Sequence, residues 1–455
     1  MKRTKFVKGA ATLGVSGMVV KVLGAVYRIP VAAFIGCYGL GVYQSAYALY
    51  AFIVTLCSAG VASVFSRVVA QKRANGEDTA AVFAAFLRTY LVIGVAGCSA
   101  CALCSLAVSL ASGERLPWGR LFLAPSIVCT CVSAVVEGYF QGEGEMFPTA
   151  LAEIIGQIVK IAGGIALCFI FRRTVERAAA ALCFAVFCAA LTECVVLWRR
   201  LRKRGRTGRL SIAAAFRGKA EKGVRPFFWT LPVTISAAVL PLTGFAESLL
   251  LPRLFGGGRR AMVLYGLFFG GVSSVAHLPS TLCRGIAAAS IPDVTEATEG
   301  KGEKEGAKRA IRACVLTAFI AFVISALLAA FAAVIAKAVL PSAEGEERGV
   351  FIDCLRISAV GATAAAVAQT LTSVSTAYGR QKGAAVCWAA ACCVRLCLDV
   401  CFAREEKFSV KGAAIAEVGC YFVAFFLILL YNLCASRITA RRKRRVTRGL
   451  NVFVG

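Results

Sequence analysis

Histidine is nearly missing from this 455-residue chain, occurring once. The lone His277 stands close to Pro279 in an apolar stretch and offers little for catalysis, where acid–base work needs a partnered group. Acidic residues are scarce too, 24 Asp and Glu against 52 Lys and Arg. Long polar stretches are also lacking. Apolar runs of roughly 20 residues, enough to cross a hydrocarbon core, recur from end to end, and no soluble domain fits between them. Charged residues make up 17% of the chain and hydrophobic ones 59%, with mean hydropathy +0.75. Such a composition belongs in lipid.

What the chain has is positive charge, a formal +28, and its placement speaks against nucleic acid. The basic residues collect in particular loops and in the tail. About 31 fall on alternate connections beginning with the N-terminus, against about 12 on the others, the asymmetry of a positive-inside topology. Both termini are therefore expected in the cytoplasm, and the protein in the inner (cytoplasmic) membrane.

Cysteine is abundant, with 21 residues, yet most fall inside apolar runs and read as small hydrophobes. Cys98, Cys101 and Cys104 have the spacing of an iron–sulfur run, but they lie mid-span without the loop geometry a cluster needs. No metal, cofactor or catalytic residue is expected. The basic start Met1 to Lys8 leads into an apolar segment that continues to about Gly36 without a clear cleavage site, so it is expected to stay as the first helix.

The hydrophobic pattern predicts an all-α polytopic membrane protein with about twelve spans, near 9–35, 40–68, 81–109, 119–140, 148–171, 178–198, 227–251, 262–290, 311–340, 349–378, 384–403 and 411–435. The basic break Arg199 to Arg225 divides them into two six-helix lobes, 1–198 and 226–435, joined by a cytoplasmic linker over 199–225 and followed by a basic tail over 436–455. Linker and tail read as positive-inside segments touching anionic head groups. A faint internal repeat runs through the halves. One shift lays Ser66-Arg67-Val68 on Pro292-Asp293-Val294 and Gly76-Glu77 on Gly302-Glu303; a slightly longer one lays Lys160 on Arg395.

Charge inside a membrane costs roughly 2.5–3.5 kcal/mol per residue on insertion scales, so ionisable residues in spans should face the bundle or a wet cavity. Lys21, Arg28, Lys160, Arg284 and Arg395 are candidate anion-binding cations, and Glu153, Gln157, Glu247 and Asp399 candidate polar or ion-pairing residues of the cavity. Asp353 with Arg356 and Arg395 with Asp399 are spaced to pair along one helix face. Glu153, Gln157 and Lys160 line one side of the fifth span. The first half carries more basic than acidic span residues, a balance suited to phosphate oxygens. The competing role for each cation is an internal ion pair that only fixes helix packing.

Several stretches resemble a known family: Phe6-Val7-Lys8-Gly9-Ala10, the run from Lys21 to Pro30, the run from Gly39 to Tyr47, then Gly138 to Gly142 followed by Met146 to Ala150, and more loosely Tyr378-Gly379-Arg380 and Gly412 to Ala416. They are similar to the stage V sporulation protein B branch of the multidrug/oligosaccharidyl-lipid/polysaccharide (MOP) exporter superfamily. The resemblance implies two six-helix lobes around a central cavity and translocation of a polyprenyl-pyrophosphate-linked oligosaccharide, either lipid II-like or a polysaccharide repeat unit. The partners it implies are that lipid-linked cargo and membrane lipids, with cell-wall synthesis proteins left open. That branch usually has about two more spans. It also has Gln, Glu and Arg in the fifth span where this chain has Glu153, Gly156 and Lys160, and Asn in place of Asp399.

The expected mechanism is alternating access, with Gly24 and Gly36 letting the first span bend. Two rivals stand beside it. A drug or cation exporter of the same fold should have acids dominating its cavity. A membrane-embedded sugar transferase or polymerase would need paired carboxylates or a basic catalytic residue, usually served by a sizeable outer loop, whereas the outer connections Ser112 to Trp118 and Pro341 to Arg348 are short.

Overall fold

The computed structural model describes residues 2–112, 118–203, 225–341, 345–405 and 409–452. Within these ranges the side chains of 2–15, 18, 21, 22, 25, 26, 28, 111, 112, 292, 299, 301 and 436–452 are outside the described set. All regular elements among the described residues are helices, as a lipid environment requires of a chain whose backbone must satisfy itself.

The first helix, α1 (Lys2–Ser58), is broken at Gly36, where φ is 61° and ψ −175°. Only glycine adopts that conformation readily, and Pro30, with no amide hydrogen, precedes the break. The second arm of α1 continues through the left-handed Gly60 into α2 (Val61–Ala74). Then come α3 (Ala80–Ser112), α4 (Trp118–Gly142), α5 (Phe147–Ile170) and α6 (Val175–Lys203). The second set opens with α7 (Pro226–Leu254), which holds three prolines inside the helix. It continues with α8 (Gly258–Tyr265), a π-helical segment Gly266–Val272, α9 (Ser273–Ala276) and α10 (Leu278–Lys301). The rest is α11 (Glu303–Ala330), α12 (Ala332–Val339), α13 (Glu346–Ala377), α14 (Gln381–Ala403) and α15 (Ser409–Val452).

Among the described residues, ten helices are long and apolar enough to cross a membrane, or eleven if the pair bent by 42° at His277 counts as one span. Of the expected twelve, the first, 9–35, includes many residues whose side chains are outside the described set, so this count begins at Ile29, in the 46-residue apolar stretch Ile29–Ala74. Most of the linker, 204–224, lies outside the described residues, as do the side chains of the tail.

Helices α1 to α6 pack on one another, as do α10, α11, α13, α14 and α15, and α1 is the main bridge, touching α7, α8 and the π segment. The bridge is close because its contact residues are glycines. A Cβ on Gly266 would lie 2.0 Å from the Cys37 carbonyl oxygen, and one on Gly41 2.2 Å from that of Met262. In lipid, where apolar surfaces gain little from meeting, such small-residue contacts carry helix association. One buried core draws on both sets, joining Tyr27 and Ile35 of α1 to Phe268, Leu340 and Phe351. It lies towards the end of the bundle remote from the last turn of α6. The two glycines aligned by the repeat, Gly76 and Gly302, both have positive φ, 74° and 90°, and each sits in the turn between consecutive helices.

Candidate functional site

Two buried polar groups face the interior, one in each set. In the first, α5 is wedged between α1 and α6 by three glycine contacts. A Cβ on Gly24 of α1 would meet the Gln157 amide nitrogen at 3.2 Å. Gly156 leaves room for the carboxylate of Glu193 on α6, and Gly164 for the hydroxyl of Tyr27. Gln157 is buried among these contacts. Glu137 on α4, Glu153 on α5 and Glu193 on α6 lie within electrostatic reach of one another, and Lys160 within reach of Glu193. Three carboxyls and one ammonium thus meet here, which departs from the basic balance expected of the first half. Lys21 and Arg28 belong to the first arm of α1, and their side chains lie outside the described residues.

The second group joins five elements. Arg395 of α14, buried in the bundle, pairs with Glu247 of α7, and its Nη1 lies 3.8 Å from the Glu417 carboxylate of α15. Glu417 also receives a hydrogen bond from the Tyr421 hydroxyl at 3.1 Å and one from Ser358 of α13 at 3.4 Å. The His277 ring, at the bend between α9 and α10, places Nε2 3.1 Å from Glu417 and 2.6 Å from the Tyr421 hydroxyl. Asp399, one turn beyond Arg395, is buried beside Glu247. Three acids, one arginine and one histidine share this volume, so the acids exceed the permanent cations.

Arg395 therefore takes its ion pairs from α7 and α15, where the i,i+4 spacing pointed to Asp399. Asp353 likewise pairs with Lys411 at 2.7 Å, and not with Arg356. Arg284, on α10, is exposed and has no ion-pair partner among the described residues. Sequence reasoning set His277 aside and left Glu417, Tyr421 and Ser358 out of the site. The available signal was the charge rule itself, since an ionisable ring inside an apolar stretch marks a functional candidate.

The chain matches the family described as polysaccharide biosynthesis protein over residues 6–298. It belongs to that family. Among curated proteins of Bacillus subtilis (strain 168), it is 26% identical to stage V sporulation protein B over 350 residues, 71% of this chain and 65% of that protein. It is 23% identical to the lipid II flippase MurJ over 170 residues, 35% of this chain and 31% of that protein. The matched stretches thus span less than two thirds of these relatives' own lengths. Among solved structures, an inward-facing multidrug resistance MATE family transporter superposes with a TM-score of 0.75 at 15% identity, covering 94% of this chain and 99% of that one. A eukaryotic MATE transporter gives 0.66 at 15% identity, covering 95% of each. This member of the polysaccharide biosynthesis protein family is thus a multi-pass membrane protein with a MATE-like fold.

Proposed function

We propose that this protein moves a polyprenyl-diphosphate-linked oligosaccharide, a lipid II-like precursor or a polysaccharide repeat unit, from the inner to the outer leaflet of the cytoplasmic membrane. The two sets of helices, 1–198 and 226–435, act as lobes that rock about the interior, while the lipid tail stays in the bilayer at a lateral gap. The observation that carries the reading is Arg284, an exposed guanidinium on a span with no acid partner among the described residues. A guanidinium left unneutralised there is matched to phosphate oxygens, and Lys21, Arg28 and Lys160 are its candidate companions. Outward movement of an anion against an inside-negative potential is favoured by about 2.3 kcal/mol per charge per 100 mV.

The test is leaflet-resolved labelling of lipid-linked oligosaccharide in cells depleted of the protein. Cargo should accumulate in the inner leaflet, and an unchanged distribution overturns the reading. With both termini cytoplasmic, a reporter after Arg445 should report the cytoplasm and one at Gly345 the outside.

A second reading, a cation exporter of the same fold, draws support from the acid groups Glu137–Glu153–Glu193 and Glu247–Asp399–Glu417. The two readings differ in which side chains contact cargo.

A further inference from the structure

At the end of the bundle remote from the last turn of α6, a crevice of about 470 Å³ lies between the two sets of helices. It is walled by α1 just past the Gly36 break, the last turns of α3, the first turn of α4, the final third of α7 and the start of α8. Three arginines line it, each from a different helix: Arg120 of α4, Arg253 of α7 and Arg259 of α8. None of the described residues lining it is acidic. Arg259 is held with its guanidinium 4.9 Å from the centre of the Tyr38 ring, while its neighbour Arg260 turns to Glu346 at 3.6 Å. Gly256, Gly257 and Gly258 all have positive φ, and a Cβ on any of them would stand in open space. The turn thus presents bare backbone beside the arginines.

Exposed apolar side chains lead into the crevice. Leu56 of α1 and Leu242 of α7 are exposed, and a seven-residue step puts each on the helix face that carries Leu49 or Leu249 in the crevice wall. An acyl or isoprenoid chain resting on them would carry its head group to the arginines, whose planar forks take phosphate oxygens two at a time. Isolated arginines at a membrane interface need only reach head groups. Three converging from separate helices around one hollow, with no acid among its described lining residues, make a receptor for a compact, multiply charged anion.

We infer that this crevice is a second binding site, distinct from the interior polar groups, that holds the diphosphate head of an isoprenoid lipid on the outer side as translocated cargo leaves the protein. This rests on the function proposed above.

The test is photocrosslinking with full-length protein in neutral phosphatidylcholine nanodiscs. A benzophenone amino acid at Leu249, on the crevice wall, reads this site alone, and radiolabelled geranylgeranyl diphosphate is the probe. Labelling should saturate and should fall about tenfold or more in the triple variant Arg120→Gln, Arg253→Gln, Arg259→Gln, as the loss of several charge-assisted contacts predicts. The matching triple Lys variant should keep part of it. An unchanged thermal midpoint shows that the Gln variant is folded; if it unfolds, the single Arg259→Gln, on an exposed side chain, should weaken labelling severalfold. Undiminished labelling in the Gln variants overturns the inference. So does equal displacement by inorganic pyrophosphate, which would mean a free-anion site, or by anionic phosphatidylglycerol in the disc, which would mean an ordinary phospholipid seat. Translocation by wild-type proteoliposomes separates the two claims. Absent translocation counts against the proposed function, whereas intact translocation with unaltered labelling counts against the exit site alone.

Discussion

The Arg395 guanidinium on α14 is paired with the Glu247 carboxylate on α7, both deep in the bundle. The contact ties the first helix of the second set to one near its end. A buried charge left alone costs far more than the pair is worth. Arg395→Gln should therefore lower stability by about 3–5 kcal/mol, and the double change Arg395→Gln, Glu247→Gln should recover most of it. Thermal unfolding of detergent-solubilised protein checks this; a double variant no better than the single would show that Glu247 is not the partner that matters.

Glu417 is the hub of the same group, accepting from Tyr421 and Ser358 and facing His277 and Arg395. Tyr421→Phe removes one donor and should cost about 1–2 kcal/mol. Glu417→Ala strips the shared acceptor from all four neighbours and should cost more, about 3–5 kcal/mol. Equal losses in the two variants would mean that the hydroxyl, and not the carboxylate, holds the group together.

The all-helical fold and its apolar spans were legible because a 20-residue hydrophobic run has few other uses. Gly36 was legible as a bend, and it is the break in α1. Gly24 was read the same way, but it packs against Gln157, a contact with no trace in local sequence. The ion pairs were less legible for the same reason. Spacing along one helix proposed Arg395 with Asp399 and Asp353 with Arg356, but it is blind to the facing helices that supply Glu247 and Lys411. The Arg253 and Arg259 positions flank a three-glycine turn that reads as an ordinary loop until α1, α3 and α4 close around it.

Gly164 tests the wedge between α1 and α5. An added Cβ there would fall 1.8 Å from the Tyr27 hydroxyl and 2.8 Å from its ring carbon. Gly164→Ala should cost about 1–3 kcal/mol by overpacking. Adding Tyr27→Phe removes the nearer clash and should restore part of the loss, because contacting residues couple. No recovery in an unfolding measurement would place the strain elsewhere.

The last prediction separates an anion carrier from a cation exporter, using side chains that differ in their neighbours. Arg284 has no ion-pair partner among the described residues, so Arg284→Gln should leave the protein stable, and any loss of transport reports contact with cargo. Lys160 stands near Glu193, so Lys160→Gln mixes a transport effect with an uncompensated carboxylate. The double change Lys160→Gln, Glu193→Gln removes that second effect. If the cargo is a diphosphate lipid, Arg284→Gln should slow its translocation about tenfold, the loss of one charge-assisted contact. Arg284→Lys should keep part of the rate, with the loss of the planar fork accounting for the remainder. The Lys160 double variant should recover abundance without recovering translocation. If the cargo is a cation, Arg284→Gln should change nothing. Neutralising Glu137 and Glu153 should then abolish ethidium efflux from the same proteoliposomes, because those carboxyls would be the cargo contacts. Measuring lipid translocation and ethidium efflux side by side on this set decides between the two, since each reading requires the variant that the other leaves untouched to be the inactive one.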